Sequence, residues 1–242
     1  MEAWNDKFNE ELIWTVDLRD NLYEKADIAL KKNILEIGCG KGELLKELGI
    51  KFDLRLYGID VNDSLIEYAK DNLLLNRIDA KLINMDILNN NFESKFFDCI
   101  FCHYSFLWIK DLDKALNQIN RILKGDGSFL ILGEPDYEGL VEFPNTNLRN
   151  ELCNCIKKMG GDPEIGRKLI QYFYNRFKIV EQYCSSTPLT PIINKQRLYN
   201  DLEFYLKILN PKKFKFDLMK KSIDSNKYFL FIPVFTYYLK KI

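Results

Sequence analysis

Between Asn33 and about residue 133 the chain alternates apolar runs of strand length with segments of helical periodicity. The runs at 33–37, 54–59, 80–83, 97–102 and 128–132 read as five strands. A helix is expected over 65–74, where Ser64 followed by Glu67 forms a capping box: hydroxyl and carboxylate each accept one of the free amides at the start. Another is expected over 112–124, where Leu112, Ala115, Leu116, Ile119, Ile122 and Leu123 fall on one face. Asp111 stands at its N-cap and Gly125 at its stop. Strands and helices taken in turn are the signature of stacked βα units and a mostly parallel sheet.

Beyond Gly133 the pattern predicts helices over 148–158, 164–177 and 195–209, with strands over 178–185 and 228–239. Gly160, Gly161, Asp162 and Pro163 break the first of these helices, and Asn210-Pro211 ends the last. Pro233 lies inside the final strand and has no N–H for a ladder, which places that strand at an edge or a bulge. No internal repeat, low-complexity tract or Pro/Gly-rich linker divides the 242 residues, a length that suits one large domain.

Composition and charge remove some classes of function. Apolar residues make up 47% of the chain and charged ones 29%, the proportions of an ordinary globular protein and not of a disordered one. Lys and Arg number 35, Asp and Glu 35, and this balance argues against holding nucleic acid along a whole face. A local basic patch stays open, above all the lysine-rich stretch 207–227, which is expected to be a solvated face. The first thirty residues carry eight acids and no apolar core run, unlike a signal peptide. No stretch reaches the roughly 18 to 20 apolar residues that span a bilayer. A cytoplasmic protein without membrane contact is expected, as monomer or homodimer. The six cysteines form no disulfide framework in such a compartment. Cys99 and Cys102 have C-x-x-C spacing, but on a strand they face opposite sides and cannot share one ion. Cys153 and Cys155 have no partner pair at zinc spacing. No metal is expected.

Candidate chemistry begins at Ile34 to Leu44, ILEIGCGKGEL. A strand ends at Glu36-Ile37, and Gly38, Gly40 and Gly42 follow around Cys39 before a helix begins. Glycines here allow unusual backbone angles and let a ligand approach the main chain, with amides and the helix start turned toward it. Asp60 closes the second strand twenty residues beyond Gly40. A carboxylate there can accept from both hydroxyls of an adenosine ribose, with Val61 beside it. Asp86 and Ile87 follow the third strand, where the acid can meet an adenine amino group. Position 43 is Glu, so the dinucleotide pattern G-x-G-x-x-G fails. A ligand with ribose but no pyrophosphate suits the turn better than a nicotinamide dinucleotide.

With these residues the chain resembles the class I S-adenosylmethionine-dependent methyltransferases, from about Asn33 to Gly139. Their E-x-G-x-G-x-G turn stands as Glu36, Gly38, Gly40 and Gly42, the ribose acid as Asp60 and the adenine-side acid as Asp86. RILKGDGSFLILGEP, from Arg121, is similar to the family's R-x-L-x-P-G-G element but lacks its proline. HYSFLWIKD, GEPDYEG and GGDPEIGRKL resemble a subgroup that acts on small molecules. The resemblance implies a Rossmann-like three-layer α/β sandwich, with a mostly parallel seven-stranded sheet whose last strand runs antiparallel and a helical insertion over the active edge. It divides the single domain into an N-terminal helical cap (1–30), a cofactor-binding core (31–139) and acceptor-side helices with closing strands (140–242). It also implies S-adenosylmethionine as cofactor and S-adenosylhomocysteine as product.

A sulfonium methyl group is already electrophilic, so alignment and exclusion of water are the main requirements, and a general base is needed only for a protonated acceptor. His103, the sole histidine, follows the fourth strand and is a candidate both for acid–base work and for packing on the cofactor. Tyr104 and Glu134 are the other catalytic candidates. Trp108, Asp136 and Tyr137 are candidates for acceptor binding, while Arg167 is expected only to pair with a neighbour. A small-molecule acceptor is the first expectation. RNA or protein methylation and a non-catalytic cofactor-binding partner subunit are the alternatives.

Overall fold

In the computed structural model, Trp4, Lys7, Leu12 and residues 15–242 are described. The first strand, β1 (Asn33–Ile37), leads through the glycine turn to α2 (Glu43–Lys51), after the N-terminal helix α1 (Val16–Lys25). β2 (Arg55–Asp60), α3 (Asp63–Leu75), β3 (Ala80–Asn84), β4 (Phe97–Cys102), α4 (Leu112–Ile122) and β5 (Leu123–Pro135) follow. After β6 (Val141–Phe143) come α5 (Leu148–Lys158), α6 (Ile165–Lys168), β7 (Phe177–Ser185), α7 (Pro191–Ile208), α8 (Phe216–Asp224), β8 (Phe229–Phe231) and β9 (Val234–Lys241).

Seven strands form one sheet in the order β3-β2-β1-β4-β5-β9-β7. β1 to β5 pair in parallel, and β9 runs antiparallel to both β5 and β7. Parallel neighbours require crossovers, which here are helical and cover both faces. Strand alternation divides the core. Ile34, Leu56, Cys99 and Leu130 pack with α1, α2 and α3, whereas Leu35, Ile100, Cys102 and Ile131 pack with α4 and the later helices. Cys99 and Cys102 therefore lie on opposite faces, as strand geometry requires. The result is a Rossmann-like three-layer sandwich.

Several boundaries shift. The strand expected over 228–239 is two strands. Pro233 ends the pairing, β8 joins β6 in a separate two-stranded sheet, and β9 inserts between β5 and β7. The proline sits between strands, so it neither marks an edge nor a bulge, and β7 takes the edge instead. The helix over 164–177 shrinks to α6 and a 3-10 turn at Leu169–Tyr172. Gly166 lets α6 press on the sheet: a Cβ there would lie 2.8 Å from the Glu134 carbonyl oxygen. Asp111 caps α4, accepting from the Lys114 amide at 2.9 Å. Ser64 does not cap α3. The cap is Asn62, whose Oδ1 accepts from the Ser64 amide at 3.0 Å, because the helix starts two residues earlier than expected.

Of the cap expected over 1–30, α1 and the three isolated residues are described, and the rest lies outside the described residues. Arg19 of α1 is buried, ion-paired to Glu47, and donates to the Leu12 carbonyl at 2.6 Å. That guanidinium ties the start of the chain to α2. Among the described residues, no helix is long and apolar enough to cross a membrane.

Candidate active site

The carboxyl ends of β1, β2, β3 and β4 open on a cavity of about 480 Å³. Its floor is the turn after β1. The amides of Gly38 and Cys39 both donate to the Ile59 carbonyl, at 2.8 and 3.0 Å, folding the turn over the end of β2. Gly38 has φ +70°, and a Cβ there would lie 2.4 Å from Ser105 Oγ, so only glycine fits beneath that hydroxyl. Gly40, at φ +50°, faces open space within 4 Å, which leaves its backbone accessible to a ligand. Gly42 packs against Ala69 of α3 and seats the two helices together.

Four acids line this cavity, Glu36, Glu43, Asp60 and Asp86. Asp60 accepts from the Gly40 amide at 3.0 Å (Oδ2) and from the Asn62 amide at 2.9 Å (Oδ1), so turn and acid orient each other. Burial raises its pKa, against the lowering effect of the amides. Asp86 accepts from the Leu88 amide at 2.9 Å and caps a short turn that buries Ile87. Glu36 is buried, and its Oε2 has no hydrogen-bond partner among the described residues. Burial, then the nearby Asp60, push its carboxyl well above the usual range. A buried oxygen without a donor is costly unless something satisfies it. Cys39 is a buried thiol beneath the same turn, raised by burial, and Val61 is exposed at the rim.

A family described as a methyltransferase domain matches residues 35–131, the span from β1 through the glycine turn and into β5. Over these residues the chain carries a methyltransferase domain of the class I S-adenosylmethionine-dependent kind. The malonyl-[acyl-carrier protein] O-methyltransferase of Acetivibrio thermocellus is 26% identical over 228 residues, 93% of this chain and 69% of that one. The ribosomal protein L11 methyltransferase of Fusobacterium nucleatum is 34% identical over 122 residues, 49% of this chain and 38% of its own. This chain thus spans less than two thirds of that relative, and 46% and 34% of two others. Among solved structures, MccD protein superposes with a TM-score of 0.64 at 21% identity, covering 95% of this chain and 96% of the other. That likeness is one of fold.

Opposite the glycine turn in sequence order, the loop after β4 carries His103, Tyr104 and Trp108 into the cavity wall. His103 and Tyr104 stack with ring centroids 4.2 Å apart. Tyr104 has φ +53°, a strained conformation for a tyrosine, and its amide donates to the Gly133 carbonyl at 2.8 Å. The loop is held from below by Glu134. That carboxylate is fully buried and accepts from the amides of Ser105 and Phe106 at 2.8 Å and of Leu107 at 3.2 Å. Burial pushes its pKa up to about 8 despite those three donors.

Glu134 therefore lies outside the cavity wall, with both oxygens committed to backbone, and its place is beneath the loop after β4. Asp136 is also outside: it accepts from the Gly139 amide at 3.0 Å and pairs with Arg167, the neighbour pairing foreseen for that arginine. Tyr137 lines a second, smaller cavity of about 40 Å³ across Tyr104 from the first. Tyr104 borders both. The charged residues of the second cavity's described wall are Lys7, Arg197 and Asp201, none foreseen from sequence. They come from the N-terminus and α7, and no local pattern links segments so far apart. Trp4 closes the region from above, edge-on to Phe204 at 5.1 Å, Trp108 at 5.8 Å and Tyr137 at 6.0 Å. The five lysines of 212, 213, 215, 220 and 221 are exposed and line neither cavity, and Lys220 pairs with Asp224 at 2.9 Å.

Proposed function

We propose that this protein moves the methyl group of S-adenosylmethionine to a small-molecule acceptor seated beside Tyr104. Glu36, a buried carboxyl that lines the 480 Å³ cavity and has an oxygen without a hydrogen-bond partner among the described residues, carries the reading. It suits an ammonium group, and S-adenosylmethionine has one. Asp60 would take the ribose hydroxyls, Asp86 the adenine amino group, and the Gly38–Gly40 backbone would lie against the ligand. Bound there, the cofactor supplies a methyl group on a positively charged sulfur.

The chain's own part is placement. The glycine turn and the loop held by Glu134 fix the two sides of the site, and Trp4 and Trp108 help to exclude water. His103 is the imidazole of this wall, and an acceptor that must lose a proton would pass it there. The small second cavity and the zero net charge support a small acceptor. The relative matched along most of the chain is named for malonyl-[acyl-carrier protein].

Calorimetric titration tests the cofactor directly. Micromolar binding of S-adenosylmethionine and S-adenosylhomocysteine, with none of nicotinamide dinucleotides, is expected. Folded protein that binds neither sulfur compound would end the methyltransferase reading. A proton linkage should accompany binding. Burial raises the Glu36 pKa and an arriving ammonium favours the carboxylate, so its pKa should fall on binding with release of protons. Affinity should therefore rise as pH rises toward the raised Glu36 pKa. Titrations in buffers of different ionisation enthalpy should show proton release in the natural chain and none in Glu36→Gln. Equal release by both would take Glu36 away from the ammonium.

A further inference from the structure

We infer that the outer edge of β6 and the groove beside it take an extended, acidic segment of a partner protein, added as a strand. Leu189 and Leu230 exchange both of their main-chain bonds, at 2.7 and 3.0 Å, so Leu230 turns its N–H and C=O away from β6. In an antiparallel ladder, successive residues point these groups to opposite edges. The bonds from β8 to β6 therefore come from Phe229 and Phe231, opposite Phe143 and Val141. Glu142, between these two, turns its own N–H and C=O to the outer edge, where the two-stranded sheet has no further strand among the described residues. A groove of about 210 Å³ lies along β6, lined in part by Val141, Asn145, Asn147, Arg149 and Asn150. An unpaired edge is a template for another chain, and primary amides can donate to and accept from a peptide main chain.

The side chains decide what kind of segment fits. Val141 and Phe143 share one face, 54% and 68% exposed, across from half-buried Phe231 and Phe229. That face offers apolar contact to every second side chain of an added strand. Its surroundings are basic. The turn at 210–215 lies against the loop at 145–147: the Lys215 amide donates to the Thr146 carbonyl at 2.9 Å, and Asn147 Nδ2 donates to the Lys213 carbonyl at 3.1 Å. Lys212, Lys213, Lys215 and Arg149 are exposed there. The segment 207–227 holds seven lysines against Asp217 and Asp224, and Asp224 is paired to Lys220. The Glu142 carboxylate accepts from the Thr146 and Leu148 amides at 3.1 and 2.9 Å and from the Tyr228 hydroxyl at 3.3 Å, so it is committed within the chain. A protein of zero net charge thus concentrates positive charge on this face. A second copy meeting it edge to edge about a two-fold axis would set lysine against lysine, whereas an acidic strand answers the charge.

The test uses the full chain and three capped hexapeptides, titrated by ligand-observed NMR: alternating valine and glutamate, alternating valine and lysine, and the glutamate peptide N-methylated at its two central amides. The glutamate peptide should bind at least about tenfold more tightly than the lysine peptide, and N-methylation should weaken it by at least about tenfold, because main-chain pairing is lost. The double variant Arg149→Glu, Lys213→Glu should reverse the order of the two charged peptides. Its melting temperature and S-adenosylhomocysteine affinity should be unchanged, since both residues are exposed and neither lines the cofactor cavity. No binding of either charged peptide, a glutamate preference that survives in the double variant, or undiminished binding of the N-methylated peptide would overturn the inference. So would binding of the chain to phosphatidylglycerol vesicles without any peptide preference, which would give the face to a membrane. A concentration-dependent dimer abolished in the double variant would overturn it too, and give the face to a second copy.

Discussion

Asp60→Ala should lower S-adenosylhomocysteine affinity by about a hundredfold or more, the equivalent of about 3 kcal/mol. Two losses combine. The ligand loses the acceptor for its ribose hydroxyls. The Gly40 and Asn62 amides, which donate to Asp60 at 3.0 and 2.9 Å, lose their shared partner. Each such loss costs about 1–3 kcal/mol where water cannot replace it. Because the Gly40 amide belongs to the turn itself, the floor of the cavity loosens as the ribose contact disappears. Asp60→Asn keeps the shape and one acceptor oxygen but turns an amide donor toward a backbone donor, so it should fall between. Calorimetry of the three proteins measures this. An affinity for Asp60→Ala within about threefold of the natural chain, well under the roughly 1.4 kcal/mol of a tenfold change, would remove Asp60 from the ligand.

Glu134→Ala should destabilise the protein by about 3 kcal/mol or more, although Glu134 touches neither cavity. The variant leaves the amides of Ser105, Phe106 and Leu107 without their acceptor, inside a fully buried volume. The loop they form holds Ser105 Oγ on the Ile37 carbonyl at 2.9 Å and keeps Tyr104 in its strained conformation. Methyl-acceptor selection should therefore suffer with stability. Glu134 also gives stability a pH slope of definite sign. Its pKa is raised from 4.5 to about 8 in the folded chain, so the folded state binds more protons than the unfolded state across that window. The contribution is fully present below about pH 4.5 and is lost as pH rises toward about 8. Denaturant midpoints taken from pH 5 to 8 should fall with pH in the natural chain and fall less steeply in Glu134→Ala. Equal slopes and equal midpoints would show that the loop stands without this carboxylate.

Much of the cofactor side was legible because it is local. Glu36, Gly38, Gly40 and Gly42 lie in seven residues, and the strand before them and the helix after them are short-range patterns. Asp60 and Asp86 each follow a strand, and parallel strands bring their carboxyl ends to one edge by construction. Order along the chain thus becomes proximity in space. The same logic separated Cys99 from Cys102, because alternation on a strand holds wherever the strand lies.

The surroundings of the second cavity were not legible in this way. Glu134, Asp136 and Tyr137 follow one strand and read as equivalent, but tertiary packing gives each its own surroundings. Glu134 meets three loop amides, Asp136 pairs with Arg167, and Tyr137 lines the second cavity. Which way a side chain turns just past a strand end depends on what arrives from elsewhere, here α6 and the loop at 105–107. Pro233 shows the same limit, since a proline stops a strand but does not say that the next one will enter the middle of the sheet. Lys7, Arg197 and Asp201 had no mark at all in the sequence. Lys7 and Asp201 meet across 194 residues of chain. Local periodicity sets the elements and, through the parallel sheet, the cofactor edge. The second cavity belongs to long-range packing, which brings together segments that carry no pattern in common.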